Sequence, residues 1–106
     1  MNQHTSTLYA KLLGETARID WDALQPFFAR GALLWVGPSL DLVEVAIAVA
    51  EDEHAKVAAW LATGEVEKLS STTAQGYATS TPVLWAVVVS PWVLIQERAV
   101  GPDGAP

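Results

Sequence analysis

The chain contains no cysteine. Disulfides, thiolate metal sites, a thiol nucleophile and sulfur redox chemistry are therefore all excluded. Charge is scarce as well, at 17% of residues, against about 25% in an ordinary soluble domain. Only six residues are Lys or Arg, and Lys11, Arg18, Arg30, Lys56, Lys68 and Arg98 are scattered singly. With a net charge of −6 the chain lacks the basic patch that phosphate binding requires, so nucleic acid is not an expected partner. The same charge disfavours adsorption to an anionic membrane surface.

No run approaches the roughly 20 apolar residues of a membrane span. Met1 to Thr7 carries neither the basic nor the apolar region of a secretory signal, so the expected setting is soluble and cytoplasmic. Gly-x-Gly-x-x-Gly, a Gly-Lys-Ser/Thr phosphate loop and His-Glu-x-x-His are all missing. Gly37-Pro38-Ser39 lacks the second glycine of a nucleophile elbow and reads as structural.

What the chain has instead is apolar material, 51% of its 106 residues. It concentrates near the end: Val83-Leu84-Trp85-Ala86-Val87-Val88-Val89, then Ser90-Pro91, then Trp92-Val93-Leu94-Ile95. Such runs of Val, Ile and Trp describe strands buried on both faces. Ser90-Pro91 is not a favoured hairpin turn. A hairpin is still the first reading, with one strand bent at a bulge as the alternative.

Upstream the pattern is mostly helical. Leu8, Leu12, Leu13 and Ile19 recur at helical spacing from about Ser6, with Tyr9 on the same stripe. Asp20 reads as the N-cap of a second helix, stapled by Ile19 and Leu24, kinked or split at Pro26 and closed at Gly31. Phe27 and Phe28 are expected to face inward, and Ala32 to Val36 forms a short strand.

Leu42 to Ala50 is ambiguous, since Val43, Val45, Ile47 and Val49 alternate as in a strand. Asp41 with Glu44 three residues on makes a capping-box variant, and this favours a helix. Asp52 is expected to cap a further helix with an apolar stripe of Val57, Trp60 and Leu61, ending at Gly64. Val66 to Leu69 is a possible edge strand. Ser70 or Ser71 starts a weak helix with Ala74, Tyr77 and Ala78 inward.

Three strings, Phe28-Ala29-Arg30-Gly31, Pro38 to Ala46 and Pro91 to Glu97, fall in an order that resembles a bacterial family known as domain of unknown function 2288. The resemblance extends from about Leu8 to Glu97. It implies a small stand-alone bacterial protein and carries no activity, cofactor or catalytic residue.

The expected fold is α+β, a single domain over residues 6–98 with disordered tails at 1–5 and 99–106. About five short helices pack on one face of a sheet of three to four strands, and a second copy is expected to cover the other face. Candidate sites are few. Glu51-Asp52-Glu53-His54 holds ligand-type residues, but neighbours at a helix start diverge, so it reads as a solvated junction and no metal is expected. Asp41 and Glu44 share one helical face, and with Arg30 they are the candidate binding residues.

Five tryptophans are many for this length, and Trp85 and Trp92, flanking the terminal strands, are the candidate interface. The leading expectation is a non-catalytic homodimeric interaction or regulatory module without cofactor. The alternative is a small-molecule binder or enzyme with a pocket near Arg30, Asp41 and Glu44. An acidic partner for a basic protein is a third reading.

Overall fold

The computed structural model describes residues 3–98. The tail expected at 99–106 lies outside the described residues. At the other end a helix, α1, occupies Gln3–Glu15 and so begins inside the tail expected there. Leu12 of α1 is buried, whereas Leu13 is 52% exposed. Ile19 does not continue its stripe. The helix ends at Glu15, the Thr16 hydroxyl donates to the Leu12 carbonyl, and Ala17–Ile19 forms β1. Three residues with one large apolar side chain give no readable strand signal, and their state is set by pairing with a later strand.

The second helix, α2 (Trp21–Ala29), is continuous, not split at Pro26. Pro26 and Asp22 both face solvent, so the Asp22 carbonyl that a proline cannot reach is open to water. Asp20 stands at the N-cap in extended conformation, but its side chain makes no capping bond. At the other end the amides of Gly31 and Ala32 return to the carbonyls of Phe28 and Phe27. This is a Schellman closure, with Gly31 at φ 70°. β2 (Leu33–Val36) follows.

Asp41 decides the ambiguous segment. Its Oδ1 accepts from the Val43 amide at 2.9 Å, and Leu42–Ala50 is helix α3, with six of its residues buried. Asp52, expected to cap the next helix, instead ends this one. It sits at φ 56°, and the Asp52 and Glu53 amides return to Val49 and Ala48. Aspartate tolerates the left-handed region well enough to replace glycine in this closure. α4 (His54–Thr63) therefore has Glu53 at its N-cap, without a side-chain bond, and closes at Gly64 as expected.

β3 (Val66–Lys68), α5 (Ser71–Ser80), β4 (Leu84–Val89) and β5 (Trp92–Glu97) complete the chain. Ser70 caps α5 by accepting from the Thr73 amide. Ala74 and Tyr77 are buried, while Ala78, one residue further round, is exposed. β4 and β5 form the hairpin, paired from Leu84↔Glu97 to Val89↔Trp92 across a cis Ser90-Pro91 bond.

The sheet has five strands in the order β1-β4-β5-β2-β3, not three to four. β2 and β5 are parallel and the other pairs antiparallel. Alternation along the strands divides the core in two. Leu34, Val36, Val66, Val87 and Leu94 meet α1 and α3, with Trp60 of α4 at their margin. Leu33, Leu84, Ala86, Val93 and Ile95 meet α2 and α5. The expectation that helices cover one face and a second copy the other is thus corrected. The strands are apolar on both faces because the chain's own helices lie on both, and the early helix α2 and late helix α5 share one of them.

Candidate functional site

The loop from β2 into α3 gathers most of the polar contacts that reach across the fold. Gln96, on β5, is a buried polar residue, and its Nε2 donates to the carbonyls of Gly37 and Leu40, each at 2.8 Å. The Gly37 amide donates to the Glu65 carbonyl at 2.7 Å, which ties the same loop to β3's approach. A Cβ added at Gly37 would lie 3.2 Å from that carbonyl oxygen, tighter than ordinary van der Waals contact, so glycine eases the close approach. The loop thus fixed delivers Asp41 to α3. Gln96 was invisible in the sequence, because a single glutamine at a strand end looks like a solvent residue.

Asp41 also accepts from the Tyr9 hydroxyl at 2.6 Å, joining α1 to the start of α3. The hydrogen bond to Asp41, then partial burial, then the Asp41 and Glu44 charges hold the Tyr9 phenol above its ordinary pKa. The structure therefore brings Asp41 and Glu44 to Tyr9. It does not bring Arg30 to them. Arg30 ends α2, with its guanidinium 4.7 Å from the centre of the Phe27 ring, before β2 begins. Asp41 follows the far end of β2, a strand that by itself spans about 13 Å. The three candidate binding residues do not share a pocket among the described residues. The Tyr9 hydroxyl proton and one site on each Asp41 oxygen are engaged, in the tie between α1 and α3 and in the α3 cap.

Of the candidate interface pair, Trp85 is half-buried against the α1–α3 side of the core, with the Arg98 guanidinium 4.9 Å from its ring centre. Trp92 is half-buried beside the hairpin turn and lines a groove of about 550 Å³. That groove runs between α4 and the sheet, over Leu34, Val49, Val57, Leu61 and Val66. No residue of α4 is buried, and Leu61 is 49% exposed. Of the apolar stripe Val57, Trp60 and Leu61, Trp60 packs against the core margin while Val57 and Leu61 form a groove wall, because α4 packs on α3 and β3 at the margin of the sheet. Asp52, Glu53, His54 and Lys68 stand along the same groove. Among the described residues no group of three or more His, Asp or Glu is placed to hold a metal ion.

On the opposite face the Tyr77 hydroxyl donates to Glu97 at 2.9 Å. Burial first, then the hydrogen bond to Glu97 and its charge, push the Tyr77 phenol well above its ordinary pKa, with a hydrogen bond from Trp35 opposing. The ring also meets Trp21 edge-on at 5.6 Å between centroids. This cluster joins α2 and α5 and is structural in its contacts.

Residues 7–97 match the family described as protein of unknown function, DUF2288. The chain belongs to the DUF2288 family. All three strings that carried the resemblance lie inside the matched residues. A similar solved structure is the NMR solution structure of PA1075 from Pseudomonas aeruginosa, 63% identical, covering 93% of this chain and 92% of that one, with a TM-score of 0.78. No curated protein matches the chain. DUF2288 membership thus brings a fold and no assigned activity. Among the described residues no helix is long and apolar enough to cross a membrane.

Proposed function

We propose that this DUF2288 chain is a non-catalytic interaction module that works as a symmetric dimer, joined through an open edge of its sheet. One observation carries the reading. β1 pairs with β4 only from Leu84 to Ala86, whereas β4 and β5 run on together to Val89 and Trp92. The outer side of Val87 to Val89 is left without a strand partner among the described residues, and Val88 is 55% exposed. An uncovered strand edge is a template for another strand, and monomeric proteins blunt such edges with charge, proline or a bulge. Val87-Val88-Val89 has no charged residue and no proline, and its register with β5 is unbroken.

A two-fold axis beside β4 sets the strand antiparallel to its own copy, so the same surface serves both subunits. In a chain of net charge −6, two copies approach with least repulsion at a segment that carries no charge. The non-catalytic half of the reading is supported by Asp41, Tyr9 and Glu44, the nearest approach to an acid–base set. The Asp41 carboxylate takes the Tyr9 hydroxyl and caps α3, and Glu44 acts on Tyr9 through its charge. The proposal uses the backbone edge and Val88, not Trp85, whose ring is engaged within the chain. The identity to a Pseudomonas protein supports a bacterial setting.

Size-exclusion chromatography with light scattering tests this. The expected mass is twice the 11.3 kDa of one chain, returning to one chain in Val88→Lys, a substitution at an exposed site, with the fold checked by an unchanged circular dichroism spectrum. A wild-type monomer at micromolar concentration overturns the reading. A dimer that survives Val88→Lys overturns the assigned edge.

A further inference from the structure

The groove under α4 runs from the β3 margin of the sheet to Trp92 of β5, one strand in from the β4 edge, and that edge does not account for it. We propose that it receives an amphipathic helix from a partner protein, with an apolar stripe flanked by lysine or arginine.

The shape of the site favours a helix over a small molecule. Small-molecule sites enclose most of their ligand. Here the outer wall is itself a helix in water, with Ala58 exposed and Leu61 49% exposed. A small molecule on the groove floor leaves that wall wet, whereas a second helix laid along α4 covers wall and floor together. The lengths agree. Helix-in-groove recognition uses anchors at i, i+4 and i+7, a rise of about 10 Å, and the ten residues of α4 extend about 15 Å.

Charge selects the partner's flanks. Asp52 and Glu53 stand at the mouth where α3 meets α4, and Glu51 precedes them in the chain. Lys68 is the one lysine or arginine among the described residues lining the groove, and Lys56 is drawn to Glu53 at 3.5 Å. The chain as a whole carries −6. A cationic flank is therefore attracted both at the mouth and at long range, while an acidic helix is repelled. A symmetric dimer through β4 leaves both copies of this groove open.

The test is a titration of the ¹⁵N-labelled full chain with a synthetic peptide of about four helical turns, leucines on one face and lysines beside them. Saturable shifts are expected at Val57, Leu61, Val66 and the Trp92 indole. Leu61→Ser weakens binding by about tenfold or more. Asp52→Asn combined with Glu53→Gln weakens it a few-fold, a loss that shrinks as salt is added. Unchanged thermal unfolding of both variants separates these effects from misfolding. The inference is overturned if a scrambled peptide of identical composition, with its leucines spread around the helix, binds as well. It is equally overturned if the shifts map elsewhere, or if none saturates at millimolar peptide. Because Val88→Lys leaves the groove intact, the titration repeated in that variant stands or falls separately from the dimer.

Discussion

Replacing Gln96 with leucine tests whether one buried side chain holds the loop that sets up α3. Gln96 is 5% exposed and donates to two main-chain carbonyls, those of Gly37 and Leu40. Leucine keeps most of the volume and removes both donors. A buried acceptor left without a partner costs about 1–3 kcal/mol. The Gly37 carbonyl keeps the Leu40 amide at 3.2 Å, so its share lies at the low end of that range. Added apolar burial trims the total, and together the loss comes to about 2–4 kcal/mol. For a domain of this size each kcal/mol lowers the midpoint by about 4–8 °C, so a fall of roughly 10–25 °C is expected in thermal unfolding followed by circular dichroism. Gln96→Glu is worse still at neutral pH, since a carboxylate then faces two carbonyls, and it recovers partly on acidification as the carboxyl gains a proton to donate. A Gln96→Leu midpoint within about 2 °C of wild type refutes the reasoning, because the loop is then held by other contacts.

Asp41→Ala removes the cap of α3 and the Tyr9 tie together and is expected to cost about 1–2 kcal/mol in urea unfolding, while Asp41→Asn, which can still cap, costs clearly less. Leu94→Ala, at a fully buried position in the central strand β5, is expected to cost about 2–5 kcal/mol by the same assay. Tyr77 gives a pH dependence whose sign is fixed. Its pKa is raised in the fold, so its contribution is complete below the unfolded value near 10 and is lost progressively as the pH climbs beyond it. Tyr9 is shifted in the same direction and adds to the effect. Urea midpoints measured at pH 8 and at about pH 10.5 should therefore fall apart in wild type and lie closer together in Tyr77→Phe. Arg30→Ala changes stability by less than about 1 kcal/mol, since an exposed guanidinium over a ring contributes little.

The parts of the fold that were legible in the sequence are those fixed by local chemistry. The Asp41 cap, Gly31 and Gly64 in left-handed turns, and the Ser70 cap each place a helix end by a contact within a few residues. The terminal strands were legible because eleven apolar residues in thirteen, rich in Val, Ile and Trp, favour buried β structure, while the turn at Ser90-Pro91 left a bent single strand open until the pairing of β4 with β5 decided for the hairpin. What failed was what depends on distant partners. β1 exists because Ala17, Arg18 and Ile19 face Ala86, Trp85 and Leu84, nearly seventy positions away. The covering of both sheet faces could not be foreseen, because nothing in the α2 or α5 sequences says which face each will take. Asp52 was misplaced by one motif, since an aspartate between two helices serves equally as the end of one or the start of the next.

The candidate site was less legible than the fold. Asp41 and Glu44 fall together by helical spacing alone, whereas only nearness in sequence joins Arg30 to them, and β2 lies between. The α4 groove was hidden by a periodicity that reads as core. Val57, Trp60 and Leu61 repeat as a buried stripe would, yet the marginal position of α4 on α3 and β3 sends only Trp60 to the core and leaves Val57 and Leu61 facing a groove.

The most direct test of the proposed assembly is isotope-filtered NMR on a sample mixing ¹³C-labelled and unlabelled chains. Intermolecular contacts are expected from the Val88 methyls to residues of the same β4 edge on the other copy, and at no other strand. Their absence in a sample concentrated for NMR, or their appearance along β3 instead, contradicts the account.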